Sequence, residues 1–225
     1  DPMSPSCVYY LGKLLDEATQ HGNKYYQCLA LYAHVVYYYN HQDEENTASW
    51  MDKLAETAIE NKQYDLYFEG KRAEITIKPN KIIKHQIEYS ITQAEEMFKL
   101  AQKLNSAKGM SSAKLCLMTA YLSTARFKEG EEAGFEAYRL LLPTATLESR
   151  KSVLQEIALA CYGIKNKDFL AYLQEYQKVL DTLSDRKNRP ESYSYLLLES
   201  LYADYFLNEV ILEDAACQLG TRCRL

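Results

Sequence analysis

The fold is decided by the stretch Ala113-Lys114-Leu115-Cys116-Leu117-Met118-Thr119-Ala120-Tyr121-Leu122 and the residues that follow it. Its apolar side chains recur at intervals of three and four residues, which indicates a helix with one buried stripe. A second helical stretch follows, in which Gly130 and Ala137 lie seven residues apart and Pro143 marks the end. Because small residues let two helices approach closely, the sequence predicts a helical hairpin here.

The same periodicity extends over nearly the whole chain. Short breaks rich in Gly, Asn and Pro separate the periodic segments, and connections this short make neighbouring helices antiparallel. We expect helices near residues 5–20, 24–40, 45–61, 64–78, 84–105, 111–125, 127–142, 147–163, 167–184 and 191–208.

Composition restricts the class of protein further. The chain has 225 residues, of which 47% are hydrophobic and 25% are charged, with 8 Gly and 5 Pro, too few for the many turns of an all-β fold. A formal net charge of −5 gives no attraction for phosphate backbones, so we expect no direct nucleic-acid binding. Apolar runs such as Val35–Tyr39 are far shorter than the ~20 residues of a transmembrane helix, so we expect no transmembrane segment within this chain.

The order of large, small and proline positions after Ala113 resembles the tetratricopeptide repeat. Leu117 and Tyr121 match apolar positions of its first helix, Phe127 matches the aromatic residue at the turn, and Gly130 and Ala137 match small positions of its second helix. The resemblance implies an all-α fold of about five antiparallel hairpins, stacked as a right-handed superhelix whose first helices line a concave face.

Two upstream segments fit the same frame less closely. Ala48 and Ala55 take the small positions of one second helix, and Ala94 and Ala101 take those of the next. Ala94 precedes Gly130 by 36 residues, close to the roughly 34 of this repeat, but follows Ala48 by 46, so we expect extra residues at 78–86. A non-repeating helical bundle stays open as an alternative, because alanines seven apart arise in any packed helix.

We expect one repeat domain over residues 1–210. Residues 211–225 do not continue the pattern, and we interpret them as a short terminal helix or a tail, partly a cloning remnant. Cys28, Cys116 and Cys161 lie in apolar helical stretches, where we expect reduced thiols packed in the core.

No catalytic motif is present in the sequence: it contains no H-E-x-x-H, no G-x-S-x-G and no phosphate-binding glycine loop. The best metal candidate combines His34 and His41 with the acidic residues 43–45, which we interpret as a solvated corner that caps the next helix. We therefore predict no catalytic residue, no metal and no cofactor. A convergence of His34 or His85 with carboxylates in a deep pocket would favour an enzyme instead.

Twenty tyrosines cluster in the predicted first helices. Most would be core aromatics, but those on the concave face would offer flat area and a hydroxyl to a bound peptide, protein or small polar ligand. On that face we expect Tyr37, Asn40, Tyr67, Lys71, Glu74, Thr119, Lys151, Gln155 and Tyr195.

Two further stretches, residues 103–113 and 158–168, are similar in texture to the N-terminal sensory tetratricopeptide domains of Bacteroidetes membrane regulators. In those regulators the array precedes a transmembrane helix and a histidine kinase or helix-turn-helix output. The resemblance implies a non-catalytic, ligand-sensing module in the periplasm, with the output outside this chain. The alternative is a cytoplasmic adaptor that holds a partner without switching, and reduced cysteines fit that alternative.

Overall fold

The computed structural model describes residues 5–77, 83–161, 167–183, 194, 196–203 and 205–206. These residues form helices and turns, and no strand occurs among them, so the all-α prediction is confirmed. The helices are α1 (Pro5–Gln20), α2 (Lys24–Asn40), α3 (Glu44–Glu60), α4 (Tyr64–Thr76), α5 (Ile83–Lys103), α6 (Ala107–Ser123), α7 (Phe127–Leu141), α8 (Leu147–Ala160) and α9 (Lys167–Leu183). Residues 196–203 are helical as well.

One predicted boundary is wrong. The sequence around Gly109 was expected to separate two helices, but α6 begins at Ala107 and contains Gly109. The side-chain oxygen of Ser106 accepts a hydrogen bond from the backbone N–H of Gly109 at 3.0 Å, which caps the first turn. Gly109 is needed inside the helix because an added Cβ would lie 2.6 Å from Cε2 of Phe68 on α4.

Five three-residue turns share one geometry. In each, the second residue has a left-handed backbone, and the residue after it donates to the carbonyl five positions earlier, as Ser106 does to Ala101 at 2.9 Å. This is the double hydrogen bond that closes a helix at its C-terminus, and it turns the chain back beside the helix just completed. The left-handed residues are Gly22, Gln42, Lys62, Asn105 and Ala125.

The turns set a longer repeat than the sequence indicated. Consecutive left-handed residues lie 20 positions apart at Gly22, Gln42 and Lys62. As a result, α4 begins 40 residues after α2, and α6 begins 43 residues after α4. These spacings exceed the roughly 34 residues of a tetratricopeptide repeat. The extra residues expected at 78–86 fall partly in α5, the 21-residue helix that begins at Ile83, and partly at 78–82, outside the described residues.

The chain divides into two compact units, residues 1–144 with α1 to α7 and residues 145–225 with α8 and α9. The single domain expected over residues 1–210 stays a prediction, and residues 211–225 lie outside the described part. In the second unit α8 packs on α9, where the phenol of the buried Tyr176 donates to Gln155 at 3.1 Å. No helix in the described residues is both long and apolar enough to cross a membrane.

Helix α4 lies at the centre of the first unit. It contacts its sequence neighbours α3 and α5, and it also contacts α2 and α6, so that α2, α4 and α6 lie side by side. Phe68 on α4 and Leu54 on α3 are fully buried in this core. We refer to α2, α4 and α6 as the first helices and to α3, α5 and α7 as the second helices.

The small residues expected at helix contacts are buried in α5 and α7 but only half-buried in α3. Ala94, Ala101 and Ala137 are completely buried, and Gly130 is buried with Leu122 packed over it. Ala48 and Ala55 are only half-buried. Ala48 and Ala55 are thus not the most buried positions of α3, which are Thr47, Met51, Leu54 and Ala58.

The left-handed turns make a first prediction. Ala125→Gly should raise the free energy of unfolding by about 0.5–1 kcal/mol, because a left-handed alanine costs more than the extra chain entropy of glycine. Gly22→Ala, at the equivalent turn position, should lower it by a similar amount. Ala33→Gly, in the middle of α2, is the control and should destabilise by about 1 kcal/mol. Denaturant unfolding measures all three, and a loss of stability in Ala125→Gly would contradict the shared turn geometry.

The contact between α4 and α6 makes a second prediction. Gly109→Ala should lower the free energy of unfolding by about 1–3 kcal/mol, because the buried ring of Phe68 must move. Gly12→Ala is the matched control: its added methyl meets no described atom within 4 Å, so it should stabilise α1 by up to about 1 kcal/mol. Equal changes in the two variants would show that α4 and α6 do not approach at Gly109.

Candidate functional site

The outward face of α4 follows from the helices packed around it. A Cβ on Gly70 would meet Leu54 of α3 and lie 3.8 Å from the ring of Tyr32 on α2, whereas Phe68 faces α6. The face directed away from these contacts holds a polar stripe at helical spacing. The stripe consists of Asp65, Glu69, Arg72 and Thr76.

A hydrogen bond joins this stripe to α6, and its charges act on Tyr32 of α2. The hydroxyl of Ser112 on α6 donates to Oε1 of Glu69 at 3.0 Å, and Nε of Arg72 lies 3.8 Å from Oε2 of the same carboxylate. Burial raises the pKa of the Tyr32 phenol on α2, with a further contribution from the charge of Glu69. Tyr32 therefore stays a neutral hydrogen-bonding group. Of these four residues, Glu69 and Arg72 are partly exposed and Tyr32 is half-buried, whereas Ser112 is buried and holds Glu69 from the core side.

Two of the predicted site residues are exposed on the neighbouring first helices. Asn40 is exposed and follows Tyr32 by eight positions, about two turns along α2. Thr119 is exposed and follows Ser112 by seven positions on α6. We call Tyr32, Asn40, Asp65, Glu69, Arg72, Thr76 and Thr119 the first-helix surface, beneath which the buried Ser112 contacts Glu69.

Three predicted residues of α4 lie on a different face, directed toward α3 and α5. Tyr67 is only 9% exposed, and burial raises its pKa. The ammonium of Lys71 donates to Oε2 of Glu74 at 2.7 Å. Burial alone would lower the pKa of Lys71, but the hydrogen bond and the charge of Glu74 outweigh it, so the pKa is raised. Lys71 is therefore a charged, paired group.

A pocket of about 370 Å³ opens beside Glu74, at the end of α4. It lies where the start of α3, the end of α4 and the first part of α5 meet. Its walls combine apolar and acidic side chains. They are formed by Glu44, Glu45, Ala48, Glu74, Ile75, Ile77, Tyr89 and Ser90.

Four predicted residues remain, of which Tyr37 belongs to the first unit. Tyr37 is half-buried, with its ring 4.1 Å from that of His41. Lys151 and Gln155 belong to the second unit, where Lys151 pairs with Glu148 at 2.7 Å. Tyr195 lies outside the described residues.

His34 is part of an aromatic stack and makes no contact with the acidic corner. Its ring lies 3.9 Å from that of Trp50, and the ammonium of Lys53 covers the Trp50 ring at 3.8 Å. Nδ1 of His34 is 2.8 Å from the carbonyl of Ala30. Burial lowers the pKa of His34, although this hydrogen bond opposes the shift, and the charge of Lys53 lowers it further. The buried imidazole is therefore neutral near pH 7.

The acidic corner caps α3. Asp43 accepts hydrogen bonds from the backbone and the side chain of Asn46, at 3.0 and 2.8 Å, and these bonds lower its pKa. Within the described residues, no group of three His, Cys, Asp or Glu side chains is arranged to hold a metal ion. The side chain of His85 lies outside the described part of the chain.

Glu69, Arg72 and Ser112 were missed in the sequence, although one signal was available. Residues 65, 69, 72 and 76 give a polar stripe in a helix whose other faces are buried or half-buried. The predicted site was instead based on tyrosines of the first helices. Tyr67 is buried, which shows that an aromatic residue on a first helix belongs to the core as readily as to a surface.

No protein-family model matches the chain. None of the curated proteins is significantly similar to it in sequence.

The His34 stack makes a prediction about pH. Because the pKa of His34 is below its ordinary 6.5, the unfolded chain binds more protons than the folded chain below that pH. The contribution of His34 to the free energy of unfolding is therefore complete above pH 6.5 and is lost as the pH falls. His34→Phe, which keeps a ring against Trp50, should make unfolding less sensitive to pH between 7.5 and 5.

Trp50 is the single tryptophan, so its fluorescence follows this region during unfolding. His21→Gln is the control, because the His21 side chain is 78% exposed. An unchanged pH dependence in His34→Phe would contradict a buried, neutral imidazole.

Proposed function

We propose that this chain is a non-catalytic binding module of the tetratricopeptide type. In this proposal the hairpins α2–α3, α4–α5 and α6–α7 stack as successive repeats, and the first-helix surface is the concave face. It takes up a peptide or protein segment, or a small polar ligand. The contacts of α4 with both α2 and α6 support this arrangement, because they align the first helices side by side.

The observation that carries the proposal is the cluster of Tyr32, Glu69, Arg72 and Ser112. The side chains of Glu69 and Arg72 are 22% and 28% exposed, so each is held by the fold yet reachable from outside. The guanidinium of Arg72 can donate hydrogen bonds and the carboxylate of Glu69 can accept them. Such a pair suits a polypeptide backbone, which presents both C=O and N–H groups. Mixed charge also agrees with a partner other than nucleic acid, whose backbone needs a predominantly basic surface.

We further propose that the module is the sensor portion of a signal-transduction or transcriptional regulator. A ligand that contacts three first helices at once favours the packing between hairpins in which all three contacts form. Close approach at Gly70 and Gly109 makes that packing sensitive to small shifts. Binding would then alter the arrangement of hairpins, and an output domain would detect the change.

An adaptor that binds without switching is the second candidate. The cysteines support it: Cys28 is a buried free thiol, and Cys7 is a half-buried one. Free thiols are common in proteins of reducing compartments, where many adaptors act.

Selection from a random 12-residue peptide library displayed on phage tests the binding proposal. Peptides enriched on the wild type should bind Glu69→Ala/Arg72→Ala about tenfold or more weakly, because truncation of a central arginine in an interface is costly. Arg126→Ala/Glu129→Ala is the matched control, since it removes an equivalent Arg–Glu pair at the start of α7, outside the first-helix surface. Circular dichroism establishes that both variants are folded. Failure to enrich any peptide, or equal binding by both variants, contradicts the proposal.

Amide hydrogen exchange with a selected peptide separates sensor from adaptor. For a sensor, exchange should change in the second helices α3, α5 and α7 as well as in the first helices, because the packing between hairpins shifts. Changes confined to α2, α4 and α6 would favour the adaptor.

A further inference from the structure

The pocket at the end of α4 has apolar walls and an acidic rim. Ala48, Ile75 and Ile77 provide aliphatic surface, and Tyr89, which is 55% exposed, presents an aromatic ring. Glu44 and Glu45 stand at the opening in the first turn of α3. A volume of about 370 Å³ falls at the small end of the range for ligand pockets.

The charge in this pocket is negative. Lys71 neutralises Glu74, at 2.7 Å, but Glu44 and Glu45 make no ion pair with any described residue. The carboxylates of Glu44 and Glu45 are therefore not neutralised by an ion pair within the described residues. At the C-terminal end of α4 the carbonyl of Ile75 accepts a hydrogen bond from the hydroxyl of Ser90 at 3.4 Å, and the N-terminal turn of α3 places partial positive charge beside Glu44 and Glu45, which offsets only part of their negative charge.

The walls argue against a bare metal ion. Calcium and magnesium need six or more oxygen ligands, whereas most of this lining is hydrocarbon. An ammonium group on an alkyl stem fits both parts of the pocket. Its stem would contact Ile75 and Ile77, its charge would lie between the carboxylates, and the Tyr89 ring would offer a cation–π contact.

We propose that this pocket binds an alkylammonium group, either the side chain of a lysine in a partner protein or a free primary amine. The site lies on a different face of α4 from the first-helix surface, so this proposal does not depend on the function proposed above. It gives the module a second point of recognition, with a different chemical preference.

Methyl NMR of Ile75 and Ile77 tests the proposal on the full chain. n-Pentylammonium should shift both methyl resonances saturably, and n-pentanol and n-pentanoate at the same concentrations should not. Nα-acetyl-lysine methylamide distinguishes the two sources. Binding of this compound as well as pentylammonium supports a lysine side chain, and binding of pentylammonium alone supports a free amine.

Glu44→Gln/Glu45→Gln should weaken binding of pentylammonium about tenfold, because two partly exposed ion pairs are lost. Glu56→Gln/Glu60→Gln is the matched control: it removes the same charge from exposed positions further along α3 and should bind like the wild type. Ala48→Leu, which narrows the pocket without changing its charge, should also weaken binding. Thermal unfolding establishes that each variant is folded.

Three results would overturn the proposal. The first is no saturable shift with either ammonium compound. The second is an equal response to pentanoate or pentanol, which would indicate an apolar cavity without preference for charge. The third is equal binding by the Glu44→Gln/Glu45→Gln variant and its control. None of these results bears on peptide binding at Glu69 and Arg72, so the two proposals fail separately.

Discussion

The three-residue turn with a left-handed second residue is the constraint on which the first unit depends. Its two hydrogen bonds join backbone atoms only, so Gln42, Lys62 and Ala125 adopt it as Gly22 does. The side chains instead determine where the turn falls, because the apolar stripe of each helix must face its neighbour. These turns lie 20 positions apart at Gly22, Gln42 and Lys62 and again at Asn105 and Ala125, and each reverses the chain, so that α2 and α4 run in the same direction. This repetition brings α2, α4 and α6 side by side.

Close packing of these three helices then decides what remains accessible. Gly70 and Gly109 lack side chains where α3 and α4 press against α4 and α6, respectively, and larger residues at these positions would force the helices apart. With neighbours on four sides, α4 keeps Glu69 and Arg72 partly exposed on one face, and Lys71 and Glu74 are exposed to a similar degree on another. The first-helix surface is thus a consequence of the packing, and its polar residues occupy the positions that the core does not.

The sequence predicted the helices well and their faces poorly, for a physical reason. Apolar periodicity and end signals are local, so most helix boundaries were predicted within a few residues. Gly109 was misread because its role depends on Phe68, which is 41 positions away. Left-handed Gln42 and Lys62 carry no glycine signal. The polar stripe of α4 was visible as a periodic pattern, but which face of α4 remains accessible depends on four neighbouring helices, so the pattern alone did not rank Glu69 and Arg72 above Lys71 and Glu74.

Helix α4 also links the two candidate sites mechanically. Glu69 and Arg72 form one ion pair and Lys71 and Glu74 form another, so within six residues the helix carries a pair on each of two faces. Both pairs have three-residue spacing and move with the same rigid backbone. A rotation of α4 that improves contacts at the first-helix surface must therefore displace Glu74 relative to Glu44 and Glu45. In a helix with little free space around it, the two ion pairs therefore keep a fixed position relative to each other.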